Sequence, residues 1–272
     1  MREAVTKEDY EEPNCPLCMD SAVTPIPVSR VIEKLDFYFH KNDLPSAERH
    51  LAYWKSEAQA GHDDRGLLTV LNEQAGLYRK LGKGRESIAA AQEALGLIEG
   101  LGLSGTVTMA TTLINAATAY KAFSDAEKAV PLYEKAKGIY EALLPKNDAR
   151  LAGLYNNMAL SVMATGDYGA AERLFELALA VLRENENAEG EAAVTCCNLA
   201  DLYAAKYGLE DGAEKINECL DRALALLETP TLPRDGNYAF ICEKCAPVFG
   251  YYGYFMAERE LSRLSKEIYD RT

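Results

Sequence analysis

The stretch "NNMALSVMATGDYGAAERLF", residues 156–175, decides the fold. It reads as two helices joined at Gly166-Asp167. Apolar residues recur at spacings of three and four, as Leu154, Met158 and Val162 before the turn and Ala171, Leu174, Phe175, Ala178 and Leu182 after it. A glycine at the reversal suits a helix C-terminus. The first helix nevertheless opens on two adjacent asparagines, whose side chains compete with the helix for backbone hydrogen bonds.

The pattern recurs. Aligned on Ala159, similar segments centre on Ala75 ("NEQAGLYRKLGKGRESIAAA"), Ala117 ("INAATAYKAFSDAEKAVPLY") and Ala200 ("CNLADLYAAKYGLEDGAEKI"), with successive separations of 42, 42 and 41 residues. Weaker copies place Leu35 in register 40 residues before Ala75, and Cys245 45 residues after Ala200. Self-similarity at such a period implies stacked supersecondary units rather than one globular core. The turn within each unit carries Gly82, Ser124 or Gly166. The boundaries between units read "GHDDRG" (61–66), "PKNDAR" (145–150), "ENENAEGE" (184–191) and "TPTLPRDG" (229–236), rich in capping and helix-breaking residues. No strand is read anywhere, so the expected fold is all-α.

These residues resemble the tetratricopeptide repeat. That repeat sets a small residue in its first helix, a Tyr-like residue three later, an Ala at twelve, an aromatic or apolar residue four further on, and another Ala at seven beyond the second. Ala159, Val162, Ala171, Phe175 and Ala178 match, as do Ala117, Tyr120, Ala129, Tyr133 and Ala136, and less closely Ala75, Tyr78, Ser87, Ala91 and Ala94. Ala200 and Tyr203 match too, but Ala213 arrives one residue late, which predicts a one-residue insertion near Tyr207-Gly208. The usual period is about 34 residues; the longer units here, with "NNMA" and "CNLADLY", resemble those of kinesin light chains. The resemblance implies a right-handed α-α superhelix of about six helical hairpins over residues 30–272, in units near 30–64, 65–106, 107–148, 149–189, 190–234 and 235–272. Residues 1–29, acidic and proline-containing, are expected to form an arm that packs locally on the first unit.

Composition narrows the function. A formal charge of −13 on 272 residues disfavours nucleic acid, which needs a basic face, and adhesion to anionic membrane. The N-terminus lacks a signal-peptide profile and no apolar run approaches bilayer-spanning length. Seven cysteines, an odd and unclustered set, suit a reducing cytoplasm.

Asparagine stands two residues before the small residue as Asn115, Asn157 and Asn198; the second unit has Glu73 there and Asn72 one earlier. In the resembled architecture this position looks across a concave groove lined by first helices. A row of carboxamides offers a donor and an acceptor per unit, the inventory for holding an extended peptide backbone. The same side chains could instead bond an adjacent helix and fix the register of successive units, and both roles can hold at once. Thr69, Arg79, Lys80, Thr111, Thr118 and Lys121 make the early groove polar and mildly basic; Leu160, Met163, Cys197 and Phe249 make the later groove more apolar, with Asp201 among them. Lys121 and Asp201 join the asparagines as candidate peptide contacts. Gly153, Val194 and Cys197 stand where a chaperone-type carboxylate clamp needs basic residues, so a chaperone-tail receptor is not expected.

The remaining chemistry is sparse. Cys15/Cys18 and Cys242/Cys245 have CxxC spacing, but the first lacks a second half nearby and the second falls in a predicted helix, so no metal or cofactor is expected. His40, His50 and His62 belong to no recognisable catalytic arrangement, and "GKGRES" lacks a phosphate-loop ending, so the chain is not read as an enzyme. The aromatic run "FGYYGYF", residues 249–255, packs in the last hairpin or forms a protein-facing patch. The expected function is a cytoplasmic scaffold that binds a protein or peptide segment. The alternatives are self-association through the ends, including a homodimer through the C-terminal aromatics, and a regulator sensing a peptide signal.

Overall fold

The computed structural model describes residues 23–123 and 125–271. Cys15, Cys18 and most of the N-terminal arm lie outside these residues, as does Ser124. The chain divides at Ser124/Asp125 into two compact units. The first holds α1 (Val28–His40), α2 (Leu44–Ala60), α3 (Asp64–Lys80), α4 (Gly84–Gly100) and α5 (Val107–Ala122). The second holds α6 (Ala126–Leu143), α7 (Ala149–Ala164), α8 (Tyr168–Arg183), α9 (Glu189–Tyr207), α10 (Ala213–Leu227), α11 (Gly236–Tyr251) and α12 (Phe255–Arg271). The described residues contain no strand, and the fold is all-α.

Within each compact unit the packing follows repeat logic. Consecutive helices pair as hairpins (α1 with α2, α3 with α4, α7 with α8, α9 with α10, α11 with α12), and α2, α4, α6 and α8 each pack on the first helix that follows, α3, α5, α7 and α9. First helices also touch one another: α3 with α5, α7 with α9, α9 with α11. Aspartates start many of the helices. Asp43, Asp63 and Asp167 accept the backbone N–H of Ser46, Gly66 and Ala170, satisfying donors that the helix start leaves open. Asp63 does this with Oδ1 while its Oδ2 accepts Ile26 N–H at 2.9 Å, and Thr24 N–H reaches Gly61 O at 2.8 Å. The last arm residues therefore dock on the α2–α3 turn.

The positions that set the register in the first helices are buried throughout. Leu35, Ala75, Ala117, Ala159, Ala200 and Cys245 are all buried. So are the residues twelve positions after the first four, Ala47, Ser87, Ala129 and Ala171. Ser87 stands in for alanine there because its hydroxyl is satisfied by the carbonyl of Ala75 at 2.8 Å.

One sequence expectation is overturned. No residue is inserted near Tyr207-Gly208: the position twelve after Ala200 is Gly212, which is buried, whereas Ala213 is exposed. Ile216 and Ala223 then fall in step with Phe175 and Leu182, all buried. A Cβ at Gly212 would lie 2.6 Å from Gly208 O and 3.1 Å from Tyr203 O, so the chain needs glycine where the other repeats take alanine or serine. A motif that expects alanine finds the next one along and reads it as a shift.

Gly212→Ala should therefore overpack the α9–α10 turn and destabilise the protein by about 1–3 kcal/mol. Ala213→Leu, on the exposed neighbour, should stay within about 0.5 kcal/mol of wild type. Thermal melting of the two variants checks this; the reverse order would restore the insertion.

Candidate functional site

Burial along the first helices leaves a single open stripe on each. From Gly66 to Leu77 in α3 every residue is buried except Thr69, Asn72, Glu73 and Gly76. From Ala110 to Ala119 in α5 the exceptions are Thr111, Ile114 and Asn115. From Leu151 to Val162 in α7 they are Gly153, Asn156, Asn157 and Leu160, and from Ala192 to Leu202 in α9 they are Val194, Asn198 and Asp201. Steps of three and four residues keep each stripe on one helical face. Asn72, Asn115, Asn157, Asn198 and Asp201 all lie on these stripes, and Lys121 is half-buried near the end of α5.

The carboxamides are paired between neighbouring first helices. In the first compact unit Asn115 Nδ2 donates to Asn72 Oδ1 at 2.9 Å, while Asn72 Nδ2 donates to Thr112 Oγ1 and to its own helix at Leu68 O, each at 3.1 Å. In the second, Asn198 Nδ2 donates to Asn156 Oδ1 at 3.0 Å. The two pairs are equivalent: the residue three before the small position in one repeat accepts from the residue two before it in the next. The adjacent asparagines of the opening stretch thus differ in role. Asn156 is the acceptor for Asn198, and Asn157 donates to Gly153 O of its own helix at 2.9 Å. Sequence reading paired Asn156 with Asn157 but did not count it among the groove residues; its signal was the spacing of 42 residues to Asn198, one short of the 43 between Asn72 and Asn115.

Three residues assigned to the groove from sequence do not face it: Cys197 and Phe249 of the later part and Thr118 of the early part are buried. Cys197 precedes Asn198 by one position, about 100° around the helix, which turns it into the contact between α9 and α11. There it hydrogen-bonds Cys245, and that bond together with burial pushes its thiol pKa up strongly. Burial likewise raises Cys196 and Cys242 to about 11 and Cys219 to about 12, so these thiols stay protonated. Among the described residues no group of His, Cys, Asp and Glu is arranged to hold a metal, and no helix is long and apolar enough to cross a membrane.

Asp201, one turn beyond Asn198, is half-buried and accepts the Tyr252 hydroxyl at 2.9 Å. Burial raises its pKa above the usual carboxylate value, and the Tyr252 bond only partly offsets that. It makes no ion pair among the described residues: Lys206, one helical turn on, is engaged by Glu172 at 2.5 Å. Glu73 in α3 is also raised, by burial and then by the charge of Asp36. The aromatic run divides. Phe249 is buried against Tyr254 with ring centroids 5.8 Å apart, and Tyr254 OH donates to Asp221 at 2.9 Å. Tyr251, Phe255 and Met256 are 72%, 65% and 79% exposed.

Tetratricopeptide-repeat family models match residues 66–142 and 151–188. These segments are tetratricopeptide repeats. No curated protein matches the sequence. Among solved structures, BtubC (BKLC) from P. vanneervenii is similar at 24% identity and TM-score 0.62, covering 74% of this chain and 79% of that one. TPR-like repeats ascribed to a kinesin light chain of Podosopora anserina are similar at 18% identity and TM-score 0.52, over 75% of this chain and 95% of that one. The quorum sensor NprR, known from B. thuringiensis and solved with its cognate peptide NprX, is similar at 15% identity and TM-score 0.59, over 88% of this chain and 66% of that one. At these identities the likeness is one of fold.

Two measurements test the geometry of the stripes on α7 and α9. A double-mutant cycle on Asn156→Ala and Asn198→Ala should show a coupling of about 0.5–1.5 kcal/mol in free-protein stability, the worth of one side-chain bond between helices. Asp201→Asn should melt no lower than wild type at neutral pH, and higher if burial dominates. The sign follows from linkage: an acid with a raised folded pKa binds its proton better in the fold, so the penalty is full above that pKa and fades as the carboxyl protonates. Asparagine still accepts from Tyr252, so melting curves of the two proteins should converge as pH falls.

Proposed function

We propose that the chain is a non-catalytic, cytoplasmic scaffold whose first-helix stripes hold an extended protein or peptide segment. One observation carries the reading. The bond within each carboxamide pair uses one donor and one acceptor, leaving Asn198 Oδ1 and Asn156 Nδ2 in one pair, and Asn115 Oδ1 in the other, without a partner among the described residues, on half-buried side chains. A backbone amide carries the complementary donor and acceptor, so a segment laid along the stripe can bond to carboxamides whose orientation is already fixed. Register pinning and ligand contact then use opposite ends of the same side chain. The fold shared with NprR, a protein solved with a bound peptide, agrees with this use of the architecture.

A second reading, self-association, is favoured by the exposure of Tyr251, Phe255 and Met256 around the last turn. Replacing all three by serine and measuring mass by light scattering tests it; a wild-type monomer would remove it.

Peptides selected from a random displayed library should lose about 1–3 kcal/mol of affinity for Asn157→Ala, the cost of leaving a desolvated backbone group unpaired. Titration calorimetry reads the loss, and free-protein melting of the same variant should change little. A large stability loss with unaltered affinity would remove the peptide role of Asn157. Unaltered affinity in an Asn115/Asn157/Asn198 to Ala variant would remove the groove altogether.

A further inference from the structure

We infer that the stripe of the second compact unit selects segments carrying a basic side chain, Lys or Arg, seated on Asp201. The inference rests on the peptide-scaffold reading and names the chemistry of the ligand at one position of it.

Asp201 is half-buried on α9, in step with Val194 and Asn198, and so shares the stripe that carries the open Oδ1 of Asn198. Tyr252 OH occupies its Oδ1 at 2.9 Å. The second carboxylate oxygen has no partner among the described residues, and no Lys or Arg forms an ion pair with the group. The bases of α9 and α11 are engaged elsewhere: Lys206 with Glu172, and Lys244 over the Phe240 ring at 5.4 Å to the centroid. Desolvation of an uncompensated carboxylate is a standing cost to the fold, and a ligand cation relieves it. Tyr252 holds the carboxylate by one oxygen and fixes its direction, and its ring meets Tyr251 edge to face with centroids 4.9 Å apart. Aromatic rings beside a carboxylate favour an alkyl-stemmed cation, whose methylenes pack on the rings while the charge reaches the oxygen.

The surrounding charge agrees. On the faces that α9 and α11 leave exposed, Glu191 and Glu243 accompany Asp201, against Lys244 as the only base between Ala192 and Tyr251 on those two faces apart from the engaged Lys206. Glu243 is exposed and accepts the Tyr269 hydroxyl at 3.3 Å. An acidic segment would meet repulsion here, and an uncharged one would leave Asp201 as desolvated as it found it. The asparagine pair fixes where the ligand backbone runs, and Asp201, one turn further along α9, fixes which side chain is read.

The test uses the full chain and a random-sequence decapeptide library displayed on phage. Wild-type protein should enrich Lys or Arg at one position of the selected peptides, and Asp201→Asn should lose that enrichment while keeping preferences elsewhere. Replacing the selected lysine by norleucine should weaken binding to wild type about tenfold and binding to Asp201→Asn by less than twofold. The norleucine comparison on wild type needs no variant to fold. Selected peptides without a basic position, or equal losses on both proteins, would overturn the inference and leave the scaffold reading standing. Failure of wild type to select any peptide would overturn the scaffold reading and this inference with it.

Discussion

The close approach of paired helices at the small-residue positions is the constraint on which the rest depends. Ala75, Ala159 and Ala200 are buried where a first helix meets its neighbours, and Ser87, Ala171 and Gly212 are buried at or just before the start of the second helix of the same hairpin. A longer side chain at either place would hold the helices apart and forfeit the dispersion contacts of the layer between them. Because each hairpin is closed in this way, what it presents to the next hairpin is the same each time. The burial pattern of one first helix is then reproduced in the following one.

That repetition turns a single open stripe per helix into an aligned surface. On α9 the alternation of buried and open positions is tight enough that Cys197 and Asn198, adjacent in sequence, have opposite fates. Cys197 becomes part of the contact with α11, and Asn198 reaches across to Asn156 on α7. A half-buried carboxamide that bonds a neighbouring helix contributes little net energy, about 0.5–1.5 kcal/mol. It does fix rotamer and register, because any slip between repeats would break the bond and leave both groups poorly solvated. Carboxamides suit this double duty better than hydroxyls or carboxylates, since one side chain holds a donor and an acceptor at separate atoms.

Stability alone does not account for Asp201. A carboxylate drawn partly out of water without a cation weakens the fold, and neutral asparagine at the same place would keep the Tyr252 bond. The contrast with Glu172 is instructive: that group has Lys206 and Tyr203 as partners and a pKa lowered despite burial. Glu172 is paired, whereas Asp201, like Glu73 on α3, forms no ion pair among the described residues and lies on an open stripe.

The sequence by itself determined the all-α class and the burial of the recurring small residues of the first helices, because helical periodicity and close packing at small residues are local demands. It also set Asn198 and Asp201 on one face of α9, since a step of three residues fixes a helical face without reference to the rest of the chain. Tertiary structure decided what local spacing leaves open. It made Gly212 rather than Ala213 the close-contact residue, because the limit is the distance to the carbonyls of Gly208 and Tyr203, which no alanine-based motif encodes. It buried Cys197 and Phe249, which lie on a first helix but turn toward its neighbour. It paired Asn198 with Asn156 rather than Asn157, because two adjacent side chains point about 100° apart and only one can meet the next helix.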